Sequence, residues 1–204
     1  MKKNIPLGNY YNKYTSNNLL VKFFVNKYKS AFQYFLTRIK ADNILEIGSG
    51  EGYIVRYVRD IYPEVHFFAS DIDWHFVKSS AKNNSDANWV VCFGENLPFS
   101  ENTFDLVIAC EVLEHVSSPE LVLKEIQRVG NGWTILSVPN EPWWQLLNLA
   151  RMKYIKSFGN TPGHIQHWNL KSFSNLIKNY IIVHNIQYVF PWIFAIGKFK
   201  KPEH

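Results

Sequence analysis

The stretch Glu46-Ile47-Gly48-Ser49-Gly50-Glu51-Gly52 sets three glycines among two carboxylates. A glycine turn between a strand and a helix lets the backbone approach a ligand closely and aims helix-terminal amides at it. Many nucleotide folds share such a turn, so its neighbours must select the ligand. The dinucleotide pattern G-x-G-x-x-G asks for glycine where this chain has Tyr53, and the third glycine comes one residue early at Gly52, which disfavours NAD. No Gly-Lys-Ser/Thr follows, which excludes a P-loop. Glu46 and Glu51 would repel a pyrophosphate; they suit a ligand carrying an ammonium and a sulfonium. Asp71 closes the next apolar run 19 residues after Gly52, close to the roughly 20-residue offset at which an acid meets ribose hydroxyls. Asp73 is the competing acid, and its place at a helix start suits a backbone cap. Ile72 can lie against an adenine face.

A second group of residues offers acid–base chemistry. Cys110-Glu111-Val112-Leu113-Glu114-His115 follows the fourth apolar run, at the sheet edge where ligands of such folds bind. His115 is the first candidate base, and its alternative role is to order the loop through a backbone carbonyl. His164 and His167 stand three apart in Gly163-His164-Ile165-Gln166-His167-Trp168. If helical they share a face, one as base and the other as a structural hydrogen-bonder. Glu111, Glu114, His115 and His164 form an alternative Mg²⁺ or Mn²⁺ set. Zinc is disfavoured, because Cys92 and Cys110 lie in strands far from any C-x-x-C spacing.

The elements that must position these groups follow from periodicity. Leu19, Leu20, Phe23, Phe24, Tyr28, Phe32, Phe35 and Leu36 recur at helical spacing before the first strand, after a polar, turn-rich start over residues 1–17. Residues 1–42 are therefore read as an N-terminal helical cap on a domain spanning 43–204. Short apolar runs at 43–47, 66–70, 89–93, 104–110 and 133–138 alternate with helical stretches near 52–61, 74–82, 118–129 and 142–152, which implies a parallel sheet with helices on both faces. A helix from Leu170 to about Asn179 precedes two strand-like runs, 181–189 and 194–199. With Pro191 between them and no room for a crossover helix, they should pair as an antiparallel hairpin at the sheet edge. Residues 139–168 form an insert after the fifth strand, opening on Pro142-Trp143-Trp144 and carrying Arg151, Lys153 and Lys156.

A chain of 204 residues with 47% hydrophobic and 19% charged residues can bury one core. The net charge of +5 is mild, and Lys2, Lys3, Lys198, Lys200 and Lys201 read as solvated ends; no basic stripe marks a nucleic-acid binder. Two cysteines in apolar runs, no hydrophobic leader and no apolar stretch of membrane-spanning length lead to the expectation of a cytoplasmic protein.

The runs ILEIGSGEGY, SDID, ENLPFSENTFDLVIACEVLEHV and LSVPN, in this order, resemble the class I S-adenosylmethionine-dependent methyltransferases, and within them the type 11 group. The resemblance covers about residues 43–140. It implies an α/β, Rossmann-like three-layer sandwich whose seven-stranded, mostly parallel sheet has an antiparallel last strand. It also implies S-adenosylmethionine as cofactor. Glu46, Gly48, Ser49, Gly50 and Gly52 would lie along the methionine part and Asp71 with Ile72 at the ribose and adenine. Gly94, Glu95, Asn96 and Leu97 would surround the adenine, with Cys110 at the carboxyl end of the fourth strand. Relatives often place an aspartate where this chain has Phe93, so backbone groups near Gly94 or the Glu95 side chain must hold the adenine. The acidic-histidine set is similar to the metal site of small-RNA 3′-terminal 2′-O-methyltransferases. The expectation is methyl transfer to oxygen, nitrogen or carbon of a small or lipid-like acceptor, with oxygen first, by a monomer or homodimer capable of peripheral membrane contact. Its alternatives are a metal-dependent RNA 2′-O-methyltransferase and a non-catalytic methyltransferase-like binding protein. An apolar face beside cationic residues in the insert suits a lipid-linked, polyprenyl or aromatic acceptor.

Overall fold

A computed structural model describes residues 18–200; the start at 1–17, with Lys2 and Lys3, and the end at 201–204, with Lys201, lie outside the described residues. Asn18 caps the first helix, α1 (Leu19–Leu36), its side chain accepting from the Leu20 and Val21 amides. One stripe of α1 is buried, with Tyr28, Phe32, Phe35 and Leu36 joining a core cluster that includes Ile44, Phe67 and Phe194. The apolar period seen in the sequence thus marks the face that covers the sheet.

Beyond α1 the chain alternates β1 (Asn43–Ile47), α2 (Tyr53–Ile61), β2 (His66–Asp71), α3 (Trp74–Asn83), β3 (Asn88–Val91), β4 (Phe104–Cys110), α4 (Pro119–Val129) and β5 (Gly130–Pro139). After α5 (Trp143–Ala150) and α6 (Leu170–Ile177) it closes with β6 (Ile181–Val189) and β7 (Trp192–Phe199). The seven strands form one sheet in the order β3-β2-β1-β4-β5-β7-β6. Pairings among β1 to β5 are parallel, whereas β7 runs antiparallel to both β5 and β6. The hairpin expected at the edge is present, with its second strand placed inside, against β5. Gly130 makes this fit possible: a Cβ there would lie 2.1 Å from the Phe199 ring.

Central strands bury both faces, as parallel sheets covered on two sides must. Leu45, Val107 and Leu136 point into the cluster that α4 and α6 cover, and Ile44, Leu106 and Ile135 into the one covered by α1 and α2. The strand reversal in this order lies between β1 and β4, so a crevice opens beyond their carboxyl ends, where ligands of such sheets bind. Among the described residues no helix is long and apolar enough to cross a membrane.

Candidate active site

The glycine turn occupies that crevice. Gly48 and Gly50 hold φ of 70° and 48°, left-handed values that favour glycine. At Gly48 a Cβ would also meet Val112 Cγ2 at 2.5 Å, while at Gly50 the same position faces open space. The turn is fastened from below: Ser49 donates its backbone N–H to Ser70 O at 2.9 Å, and Ser80 Oγ on α3 donates to Gly50 O at 2.9 Å. Asp71 completes the fastening. Its Oδ2 accepts the Gly50 amide at 2.8 Å and its Oδ1 the Asp73 amide at 2.9 Å. Asp73 itself caps α3 by accepting from the His75 amide, which is the role its position favoured.

These residues border a cleft of about 890 Å³. Glu46, Gly48, Ser49, Gly50, Asp71, Ile72, Gly94, Glu95, Asn96, Cys110 and His115 all line it. Two expected cofactor residues do not. Leu97 is a core residue, its side chain packed in the cluster beneath and its amide donated to Glu125 Oε2 at 2.8 Å. Gly52 is the N-cap of α2, turned toward Asn84 and Trp89. Each shapes the site from behind.

Electrostatically the cleft floor is unusual. Glu46 is 2% exposed, and its Oε2 has no hydrogen-bond partner among the described residues. Burial, and secondarily the nearby Asp71 charge, push its carboxyl well above the ordinary range. Burial also raises Asp71, although the amides of Asp73 and Gly50 oppose that shift. Cys110 is pushed up to about 12 by burial, so it stays a thiol.

At the opposite wall a 3₁₀ turn, Leu113–His115, follows β4. Glu111, which precedes it, lines the cleft with φ of 58°, a strained value for a non-glycine residue. His115 Nδ1 lies 3.0 Å from Gly163 O. A carbonyl only accepts, so Nδ1 carries the proton and Nε2 is the basic nitrogen. His164 is buried behind it, the two rings edge to face at 4.9 Å. Glu114, His115 and His164 bring one ligand atom each within 4.8 Å of one another. Glu111 does not belong to that cluster, so three of the four groups in the alternative metal set converge.

The insert departs from expectation in one respect. Residues 164–167 are not helical, because the Pro162-Gly163 turn precedes them and the chain then runs extended beside Glu114, whose carbonyl accepts the Ile165 and Gln166 amides at 2.9 and 3.1 Å. His164 and His167 consequently share no face. His167 is half exposed and sits 3.7 Å from Glu141 Oε1, outside the cleft. Of the paired tryptophans, Trp144 packs on Trp192 at 5.5 Å, and Trp143 is exposed.

Sequence reasoning missed Tyr28, which reaches the cleft from α1 and bonds Ser137 Oγ at 2.8 Å. It read as one more core position, and only the docking of α1 shows otherwise. It also missed Arg128 and Glu125, which clamp the loop after β3: Arg128 donates to the Phe99 and Leu97 carbonyls at 2.7 and 2.9 Å and pairs with Glu125 at 2.7 Å. No local pattern links residues 97 and 128.

A known domain model matches the segment that builds most of the cleft. Residues 45–135 match the type 11 methyltransferase domain model. That model matches less than half of the chain, over the segment that carries the glycine turn, Asp71 and β4. Over 91 residues it is 29% identical to the ubiquinone/menaquinone biosynthesis C-methyltransferase UbiE of Desulfotalea psychrophila, covering 44% of this chain and 37% of that protein. Over 85 residues it is 35% identical to the mitochondrial arginine-hydroxylase NDUFAF5 of Mus musculus, covering 42% of this chain and 24% of that one. The chain thus spans just over a third of the first relative's length and about a quarter of the second's. A solved structure of a Pyrococcus horikoshii protein shares the fold, with a TM-score of 0.72 at 17% identity over 94% of this chain and 97% of that one. By their names the two relatives are a C-methyltransferase and a hydroxylase.

Proposed function

We propose that the cleft binds S-adenosylmethionine and that the protein transfers its methyl group to a small or lipid-like acceptor, oxygen being the preferred atom. The observation that carries this reading is Glu46: a buried carboxylate oxygen without a partner, on the floor of a cleft, calls for a cationic ligand group. The methionine ammonium is such a group. Asp71 keeps acceptor capacity toward ribose hydroxyls while its amide bonds fix its orientation. Ile72, Phe76 and Phe93 supply apolar surface for adenine on the far wall. Its polar edge falls to Glu95 and the backbone at Gly94.

When bound, the cofactor supplies a methyl carbon activated by its sulfonium. The protein aligns an acceptor in line with that carbon and excludes water. His115 Nε2 would take the proton of an acceptor hydroxyl while its oxygen bonds the methyl carbon and the carbon–sulfur bond breaks, the neutral thioether leaving. The lipid-like acceptor is supported by the insert, which reaches the cleft through the exposed, apolar Ile165. UbiE, by its name an enzyme of quinone biosynthesis, agrees with that acceptor class. Calorimetry with S-adenosylmethionine tests the binding: Asp71→Ala should weaken it by about tenfold or more, since charge-assisted hydrogen bonds are worth about 1.5–3 kcal/mol. Unchanged affinity would remove Asp71 from the site. Label transfer from the methyl-labelled cofactor into lipid, quinone and sugar extracts then identifies the acceptor.

The convergence of Glu114, His115 and His164 supports a second reading, in which these residues hold a divalent cation that binds acceptor hydroxyls. A carboxylate with two imidazoles suits Mn²⁺ or Mg²⁺ in that role. Loss of transfer in chelator with recovery on adding Mn²⁺ favours it, and full activity in chelator rejects it.

A further inference from the structure

The chain's charges are segregated. Residues 1–41 and 142–202 hold 16 of the 22 lysines and arginines and no aspartate or glutamate, whereas residues 42–141 hold 16 of the 17 acids. In the structure the two acid-free segments meet. Phe190, between β6 and β7, contacts Phe24 of α1 at 5.5 Å and Trp143 of α5 at 6.4 Å. One aromatic bridge therefore joins α1 to the insert.

The insert folds upon itself. Buried Asn148 donates to Gly159 O at 2.8 Å and Thr161 Oγ1 at 3.0 Å, and Gly159 lies so close to α5 that a Cβ would meet Gln145 O at 2.3 Å. The turn between these anchors presents Met152 and Phe158, exposed at 79% and 82%. Both adopt left-handed backbone, with φ of 55° and 50°. Bulky apolar residues rarely occupy that region, and holding one there costs of order 1–3 kcal/mol. Here the strain places two large apolar side chains in water, with no core contact in return. Exposed Ile155 lies between them, and Arg151 and Lys156 interleave with them.

We propose that this turn, with the neighbouring face of α1, docks the protein on an anionic lipid bilayer. Met152, Ile155 and Phe158 enter the acyl boundary, and Arg151 and Lys156 meet the headgroups. The cation-only charge of the two segments complements an anionic membrane, and apolar tips set among cations are the combination that binds interfaces. This docking is independent of which ligand fills the cleft.

Co-sedimentation of the full chain tests it, with phosphatidylcholine vesicles against vesicles in which roughly one-third of the lipid is phosphatidylglycerol. The expected result is binding to the anionic vesicles alone, weakened as salt shortens the screening length. Met152→Asn with Phe158→Asn should lower partitioning by about tenfold or more. The same pair should melt no lower than the parent, because asparagine tolerates positive φ. Lys156→Glu should weaken binding by roughly tenfold at low salt. Absence of vesicle binding, or binding that ignores both changes, overturns the proposal. A concentration-dependent dimer dissolved by the asparagine pair also overturns it, since the face then serves a second copy of the chain.

Discussion

Replacing Glu46 by glutamine should move two observables in opposite directions. In the unliganded protein the carboxylate is buried with one oxygen unsatisfied, and a buried unpaired group costs on the order of 1–3 kcal/mol, more when charged. Burial first and Asp71 second hold its carboxyl well above 4.5, so the folded state keeps the proton that the unfolded chain has given up. By linkage this contribution to stability is fully present below 4.5 and is lost as pH rises through the raised value. Glutamine removes that loss. At neutral pH the variant should therefore melt higher, by about 2–4 °C for each kcal/mol relieved in a protein of this size. The cofactor ammonium, however, loses a hydrogen bond to a charged partner worth about 1.5–3 kcal/mol, which weakens the dissociation constant about 10- to 150-fold. Thermal melts and calorimetry over a pH series that starts in acid and passes through neutrality give both numbers. In the parent, affinity should rise with pH as the carboxylate forms; in the variant that slope should vanish. A variant that melts lower while binding S-adenosylmethionine normally would refute the argument, since Glu46 would then be a satisfied structural group.

His115→Gln should leave cofactor affinity intact and reduce the transfer rate about 10²- to 10⁴-fold, the usual contribution of general base catalysis; a parent pH–rate profile without a histidine limb would contradict it. Gly48→Ala should destabilise the turn, because it adds a Cβ 2.5 Å from Val112 Cγ2 on backbone with φ of 70°. The expected loss is about 1–3 kcal/mol by chemical denaturation. Val112→Ala in the same chain should restore only the steric share.

The parts legible in the sequence are those with short-range physical signatures. Glu46, the glycines and Asp71 could be placed because a strand, a turn and a helix fix their spacing, and the cap at Asp73 followed from the same register. The closing hairpin was legible because too few residues separate its strands for a crossover. Whether His164 and His167 share a face turned on a helix that the three-residue spacing alone does not decide; the Pro162-Gly163 turn and the Glu114 carbonyl hold that segment extended, so they do not. Leu97 was expected around the adenine from the resemblance alone; its side chain lies in the core and its amide bonds Glu125, 28 residues away, a contact no local pattern encodes. Tyr28 reaches the cleft only through the docking of α1, a long-range event that periodicity does not encode.

The placement of β7 bears on the order in which the molecule assembles. Until the chain has been synthesised through Phe199, β5 has no partner on its outer side, and an apolar strand edge is open to pairing with other chains. Because β7 is the last strand in the chain, the rings that seat it, Phe194 against Tyr28 and Phe199 over Gly130, close the sheet only after every other strand exists. On this account a nascent chain stalled before β7 would be prone to aggregation, although the glycine turn and Asp71 would already be in place.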